Sequence, residues 1–213
     1  MTFNKERLLL YGVTDRRFTG GRTLYEQIEE ALMGGVTMIQ LREKELSEEA
    51  FVREASEVGE LCRRYGAPFL VNDNVEVAVK SGADGVHVGM EDTPVAEIRK
   101  RCGRDFIIGA TAKTVTQAQA AEAAGADYLG VGAVFPSPTK KNAIRITAED
   151  LKQICSSVSI PVVAIGGISW ENVTELSGGG MDGIAAVSAI FGVKDIRRET
   201  ARLKEKVKAV VGV

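Results

Sequence analysis

The apolar run Val36-Thr37-Met38-Ile39 leads into Gln40-Leu41-Arg42-Glu43-Lys44, so an amide and two cations, Gln40, Arg42 and Lys44, arrive together at the end of a strand-like segment. That combination suits a small anion. The pattern recurs along the chain: Val71-Asn72-Asp73, Val88-Gly89-Met90-Glu91-Asp92, Ser137-Pro138-Thr139-Lys140, Gly166-Gly167 and Val187-Ser188 each place polar groups just past a short apolar run. Chemistry gathered at many strand ends points to a barrel whose strands all open into one site.

Two constellations stand out. Gly166-Gly167 and Ser188 fall on consecutive strand ends, and glycines there let backbone N–H groups approach a phosphate closely. The alternative for Gly166-Gly167 is a plain tight turn. Asp73 and Asp92 join Arg42, Lys44 and Lys140 in the second. Two carboxylates would repel the anion that three cations invite. A magnesium ion resolves the conflict, since it takes one or two carboxylates and fills its other positions with water and phosphate oxygens. A diphosphate ligand is therefore expected over a carboxylate. Each aspartate also has an ordinary reading as a helix cap, Asp73 for a helix near Asn74 and Asp92 for one at Pro94. His87 is the only histidine; it lies in an alternating strand and reads as a hydrogen-bonded interior group, not a general base. Trp170 reads as a packing residue opening a seventh helix.

These residues need elements to hold them. Four segments share one pattern, Gly34-Gly35-Val36-Thr37, Gly82-Ala83-Asp84-Gly85, Gly125-Ala126-Asp127-Tyr128 and Gly179-Gly180-Met181-Asp182, each reading as a helix-ending glycine and a short turn into a buried strand. Leu8 to Val13, Pro68 to Val71, Phe106 to Ile108 and Pro161 to Ile165 supply four more strands. Helical periodicity fills Leu46 to Tyr65, Pro94 to Arg101, Thr116 to Ala124, Ala148 to Val158 and Asp195 to Val211, with start signals at Ser47 and Thr147. Alternation of apolar strands with helices predicts a parallel sheet, and eight such units predict a closed (β/α)8 TIM barrel, a single α/β domain over residues 1–213. A doubly wound open sheet is disfavoured because Gly12-Val13-Thr14-Asp15 carries no dinucleotide fingerprint. The stretch from Val134 to Ile146 is the longest break in periodicity, which within a compact domain is usually functional.

Composition narrows the function classes. The chain has 213 residues, 45% of them hydrophobic, enough for one sizeable core. Lys and Arg number 27 against 29 Asp and Glu, so no basic field argues for nucleic acid. Cys62, Cys102 and Cys155 are odd in number and lie in helical segments, which suits a reducing cytoplasm. With no run of 18 apolar residues and no signal-peptide core, the expectation is a soluble cytoplasmic protein acting on small phosphorylated molecules, without membrane or nucleic-acid partners. Homo-oligomerisation is left open.

Through Tyr11-Gly12-Val13-Thr14-Asp15, Gln40-Leu41-Arg42-Glu43-Lys44, Val71-Asn72-Asp73, Asp84-Gly85-Val86-His87-Val88-Gly89, Ala126-Asp127-Tyr128, Thr139-Lys140 and Pro161 to Gly167, the chain resembles the thiamine-phosphate synthase family nearly end to end. The resemblance implies the barrel fold and a magnesium-dependent transferase that joins hydroxymethylpyrimidine diphosphate to hydroxyethylthiazole phosphate with release of pyrophosphate. It assigns Gln40, Arg42, Lys44, Asn72, Thr111 and Lys140 to the pyrimidine diphosphate, with Arg42, Lys140 and Thr111 in catalysis. Asp73 and Asp92 fall to magnesium, and Ser137, Thr139, Gly167, Val187 and Ser188 to the thiazole phosphate. The implied route is dissociative: the aminopyrimidine stabilises a carbocation that the thiazole nitrogen attacks, so no general base is needed.

Four positions depart from the family pattern: Thr111 for serine, Lys113 for histidine, Met90 for glutamine and Ala133 for proline. The sister family of thiazole tautomerases is the enzyme rival, although it depends on a histidine where Lys113 stands. A non-catalytic barrel that binds a thiazole phosphate is the other alternative, but it would have little use for two magnesium carboxylates. A side chain at Gly167 is expected to disturb the thiazole phosphate site and spare the diphosphate site.

Overall fold

Strands only four to six residues long, apolar on both faces, must be covered on both sides, and a ring of helices around a closed sheet does this. The computed structural model describes residues 3–136 and 144–213. Strands β1 (Leu10–Val13), β2 (Met38–Leu41), β3 (Phe69–Asn72), β4 (Gly85–Val88), β5 (Ile107–Ala112), β6 (Tyr128–Gly132), β7 (Val162–Ile165) and β8 (Gly183–Ala186) pair in parallel in chain order, and β8 closes on β1. Helices α1 (Leu24–Met33), α2 (Glu48–Arg64), α3 (Val75–Ser81), α4 (Val95–Cys102), α5 (Val115–Ala123) and α6 (Ala148–Ser157) follow the first six strands. Short α7 (Ser188–Phe191) and long α8 (Ile196–Val211) follow β8.

The expected helix after β7 is absent. A single 3-10 turn, Val173–Leu176, stands there instead. Asn172 Oδ1 accepts from the Ser169 N–H at 2.8 Å and Gly178 takes a left-handed φ of 77°, which leave too little chain for an α-helix. Trp170 is accordingly 41% exposed and not a helix-opening core residue. It lies under cations, with Lys206 Nζ 3.8 Å and the Arg202 guanidinium 4.9 Å from the ring centroid.

Period-two alternation sorts the strands' side chains into two cores. Inside the barrel, Tyr11, Val13, Met38, Leu70, Tyr128 and Val163 form one cluster, closed at the amino-terminal end by Leu8 of a 3-10 helix and by Phe3 stacked on Tyr128. Outward-facing Ile39, Leu41 and Val71 pack with helix residues such as Ile28, Phe51 and Leu61 in the larger, outer cluster.

The four-fold sequence pattern has a geometric reason. Thr37 Oγ1 accepts from the Leu10 N–H at 2.9 Å, and Asp84, Asp127 and Asp182 do the same for Phe69, Ile108 and Val162 at 2.8, 2.7 and 3.0 Å. Each of the four returns its own N–H to the carbonyl of that residue, at 2.8 to 2.9 Å. This reciprocal clasp gives an N–H at or next to the start of each odd-numbered strand its acceptor. In the Asp127 clasp the carboxylate is also paired with Arg99 at 2.6 Å. Among the described residues no helix is long and apolar enough to cross a membrane, and all three cysteines are free thiols.

Candidate active site

At the carboxyl end of the strands lies a cavity of about 610 Å³, and every described candidate residue from the sequence lines it. Ser137, Thr139 and Lys140 lie outside the described residues. Gln40, Asn72 and Thr111 occupy interior-facing strand positions, whereas Arg42, Lys44, Asp73 and Asp92 come from the loops just beyond β2, β3 and β4. Alternation past β2 separates functions: Glu43 turns away from the mouth to accept from Arg16 Nε at 2.9 Å, leaving Arg42 and Lys44 to face the cavity.

Arg42 is held from two sides. Its backbone N–H donates to Thr14 Oγ1 at 2.9 Å, and its guanidinium lies 3.5 Å from Asp15. Asp15 is buried, caps the 3-10 turn Arg16–Phe18 and accepts from Arg17 at 2.6 Å. Hydrogen bonds from Arg17, with lesser help from Arg42, hold its carboxylate below the usual range despite burial. Sequence reasoning gave Asp15 no role, although it sits just beyond β1 where the strand-end rule would have placed one.

The two aspartates are not helix caps. Asn74 caps α3, accepting from the Val77 N–H at 3.0 Å. Helix α4 has Pro94 at its N-cap and no side-chain cap bond, and Asp92 Oδ2 instead accepts from the Gly89 N–H at 2.7 Å. Asp73 has a left-handed φ of 62°, unusual for a residue with a Cβ, and its N–H is tied to the His87 carbonyl at 2.8 Å. Such outliers recur where side chains must be aimed. Here the result is a carboxylate turned toward Asp92 and toward Lys44 Nζ, 3.3 Å away. Burial first, then the adjacent Asp92 carboxylate, push the Asp73 carboxyl above its ordinary 3.8, with Lys44 opposing. Among the described residues no group of three or more His, Cys, Asp or Glu side chains could hold a metal. A pair of mutually repelling carboxylates with no such third partner suits an ion that completes its shell with water and phosphate, as magnesium does, and is a poor fit to a structural zinc site.

On the opposite side of the ring, Gly166 and Gly167, with φ of 102° and 68°, turn the chain after β7, and they line the cavity together with Val187 and Ser188 at the start of α7. A Cβ at Gly167 would lie 2.3 Å from the Pro136 carbonyl oxygen and 2.7 Å from that of Phe135. A side chain there would displace the segment leading toward Lys140, so Gly167→Val would not isolate one phosphate site, contrary to the expectation from sequence.

On the cavity floor a chain of hydrogen bonds crosses the barrel. Gln40 Nε2 meets the Tyr11 hydroxyl at 2.6 Å, which meets that of Tyr128 at 2.9 Å. The Tyr128 hydroxyl meets His87 Nδ1 at 3.0 Å, and His87 Nε2 meets Thr111 Oγ1 at 3.1 Å. His87 is thus a hydrogen-bonded interior group, as its strand position implied. All four positions that depart from the resembled family, Met90, Thr111, Lys113 and Ala133, line the cavity, and Met90 is 58% exposed.

The comparisons with known proteins agree with one another. A family described as thiamine monophosphate synthase matches residues 10–190. A thiamine-phosphate synthase of Clostridium tetani is 43% identical, covering 91% of this chain and 93% of its own. One from Pyrococcus abyssi is 42% identical, covering 98% of this chain and 99% of its own. Among solved structures, a thiamine phosphate pyrophosphorylase from Pyrococcus furiosus superposes with a TM-score of 0.90 at 41% identity, covering 98% of this chain and 99% of that one. With its closed eight-strand barrel and a match running through every strand, this chain belongs to the thiamine monophosphate synthase family.

Proposed function

We propose that this barrel is a transferase that joins 4-amino-2-methyl-5-hydroxymethylpyrimidine diphosphate to 4-methyl-5-(2-hydroxyethyl)thiazole phosphate, giving thiamine phosphate and pyrophosphate. The observation that carries the reading is the pairing of Asp73 and Asp92 beside Arg42 and Lys44 at one cavity wall, with a glycine turn across from it. A monophosphate binder has no need of the first set. Metal-free acid–base chemistry would not require two apposed carboxylates beside fixed cations.

Arg42, Lys44 and Lys140 bind and neutralise the diphosphate as its carbon–oxygen bond breaks, and preorganised charge of this kind usually contributes more to such catalysis than any other single effect. Asp73 and Asp92 would hold magnesium, whose contribution when bound is to neutralise diphosphate oxygens. Asn72, Gln40 and Thr111 orient the pyrimidine. Ser137, Thr139, Gly167, Val187 and Ser188 hold the thiazole phosphate, so its ring nitrogen can face the carbon released by the leaving group. That nitrogen already carries a lone pair, so no general base is needed to ready it for attack.

Incubation of purified protein with both substrates and magnesium tests this directly. Formation of thiamine phosphate and pyrophosphate supports the reading; binding of thiazole phosphate without turnover would sink it.

Thr111 supplies a sharper check. Its Oγ1 is already engaged by His87, so the hydroxyl and not the methyl group is the functional part. Thr111→Ser is expected to keep near wild-type activity, and Thr111→Val to lose roughly 10-fold in kcat/KM for the pyrimidine diphosphate, the scale of one lost hydrogen bond. Equal activity of the two variants would remove Thr111 from the site.

A further inference from the structure

The hydrogen-bond chain on the cavity floor has a direction. Each phenol carries one proton, and burial keeps both Tyr11 and Tyr128 well above the ordinary phenol value, so neither becomes a phenolate. With Gln40 Nε2 donating to Tyr11, the arrangement that leaves no buried hydroxyl proton unpaired sends the Tyr11 proton to Tyr128 and the Tyr128 proton to His87 Nδ1. A neutral imidazole that accepts at Nδ1 carries its proton on Nε2, and it donates that proton to Thr111 Oγ1. The Thr111 hydroxyl, accepting from behind, has its own proton left for the cavity.

At the other end, the Gln40 amide has spent an N–H on Tyr11 and retains its carbonyl oxygen. The packing is built for this arrangement. A Cβ at Gly109 would lie 2.2 Å from the Tyr128 ring and 2.5 Å from His87 Nδ1, and one at Gly130 would lie 2.9 Å from His87 Cε1. Phe3 stacks on Tyr128 from below at 5.7 Å, and Tyr11 meets it edge-on at 5.9 Å. Burial, against an upward pull from Asp92, brings the His87 imidazole down to about 4, consistent with its neutral form.

We infer that His87 is a positioning residue, fixed as the Nε2–H tautomer by Tyr128, and that the relay from Gln40 to Thr111 sets the pocket to present one acceptor and one donor to its ligand. One acceptor and one donor complement a ligand that carries both an amino group and an unprotonated ring nitrogen, as an aminopyrimidine does. The identity of the ligand rests on the function proposed above; the tautomer does not.

Because the chain contains one histidine, a long-range 1H–15N correlation spectrum of histidine-labelled protein at neutral pH shows a single imidazole. The expected pattern is a protonated Nε2 and a bare Nδ1. A proton on Nδ1, an averaged mixture of tautomers or an imidazolium would overturn the inference, even in a protein that makes thiamine phosphate. The expected pattern in a protein that does not bind the pyrimidine diphosphate would leave the relay standing and remove the proposed function.

Tyr128→Phe takes away the donor to Nδ1. The variant should show mixed tautomers and lose roughly 10-fold in kcat/KM for the pyrimidine diphosphate, with the thiazole phosphate KM unchanged. An unaltered tautomer in a folded Tyr128→Phe protein would exclude Tyr128 as the residue that sets it. Should this variant fail to fold, the wild-type spectrum alone decides.

Discussion

Asp92→Asn is expected to cut turnover by about 100-fold or more, the scale of losing a fixed charge-stabilising group at a transition state, while leaving the barrel folded. The amide retains an oxygen that can accept from the Gly89 N–H, so the turn from Gly89 to Asp92 keeps its anchor. What disappears is one of two apposed negative charges. Asp73 binds its proton more tightly in the folded chain, because of burial and then of Asp92. That proton favours folding below the ordinary carboxylate value of 3.8, and the advantage is lost as pH rises through the raised Asp73 value.

Without divalent cations, therefore, the melting temperature of the wild type should fall relative to that of Asp92→Asn as pH climbs from about 4 toward neutrality. Magnesium at neutral pH should raise the wild-type melting temperature and do much less for the variant, since only an ion bound to the folded state stabilises it. Identical magnesium shifts in the two proteins, or full activity in excess chelator, would remove the ion from this pair.

Arg42→Ala should lower kcat by about 100-fold or more. Arg42 is set against Thr14 and Asp15, so its guanidinium is aimed before the diphosphate arrives. Lysine should restore little, since a point charge on a flexible stem lacks the planar fork that grips two phosphate oxygens. The informative comparison is between parameters: loss in kcat, or in kcat/KM for the pyrimidine diphosphate, fits a role on the leaving group. A rise confined to the thiazole phosphate KM would mean that Arg42 serves the other substrate. The same split applies to Lys140, assigned the same role.

Much of the architecture was legible because it is repetitive. Four Gly-x-Asp or Gly-x-Thr turns, each with its strand, announce the barrel, and the strand-end rule gathers Gln40, Arg42, Asp73 and Asp92 at one cavity, to which only the family resemblance adds Thr111. Local composition could not decide whether Asp73 and Asp92 were caps; this hinged on whether Asn74 or Asp73 turned toward the helix, a matter of one left-handed residue. Trp170 misled because an aromatic before a periodic stretch looks the same whether or not glycines further on truncate the helix. The relay through Tyr11, Tyr128 and His87 was out of reach, since Tyr11 and Tyr128 are 117 residues apart and meet only through the barrel's register. Gly167 was read for its missing Cβ, but its crowded neighbours, Phe135 and Pro136, come from a different loop.

The reciprocal clasps pair β1 with β2, β3 with β4, β5 with β6 and β7 with β8, never across those pairs. The ring is thereby a set of four modules, each stitched internally, with α2, α4 and α6 as the bridges between successive modules. Rewiring the chain so that it starts between modules, at Gly66 or Gly103, where an added Cβ would meet nothing within 4 Å, severs a bridge and leaves every stitch whole. Opening it inside a module instead separates in sequence the two residues a stitch joins. Circular permutation thus has preferred seams in this barrel, and they lie at the amino-terminal rim, away from the mouth that holds the chemistry.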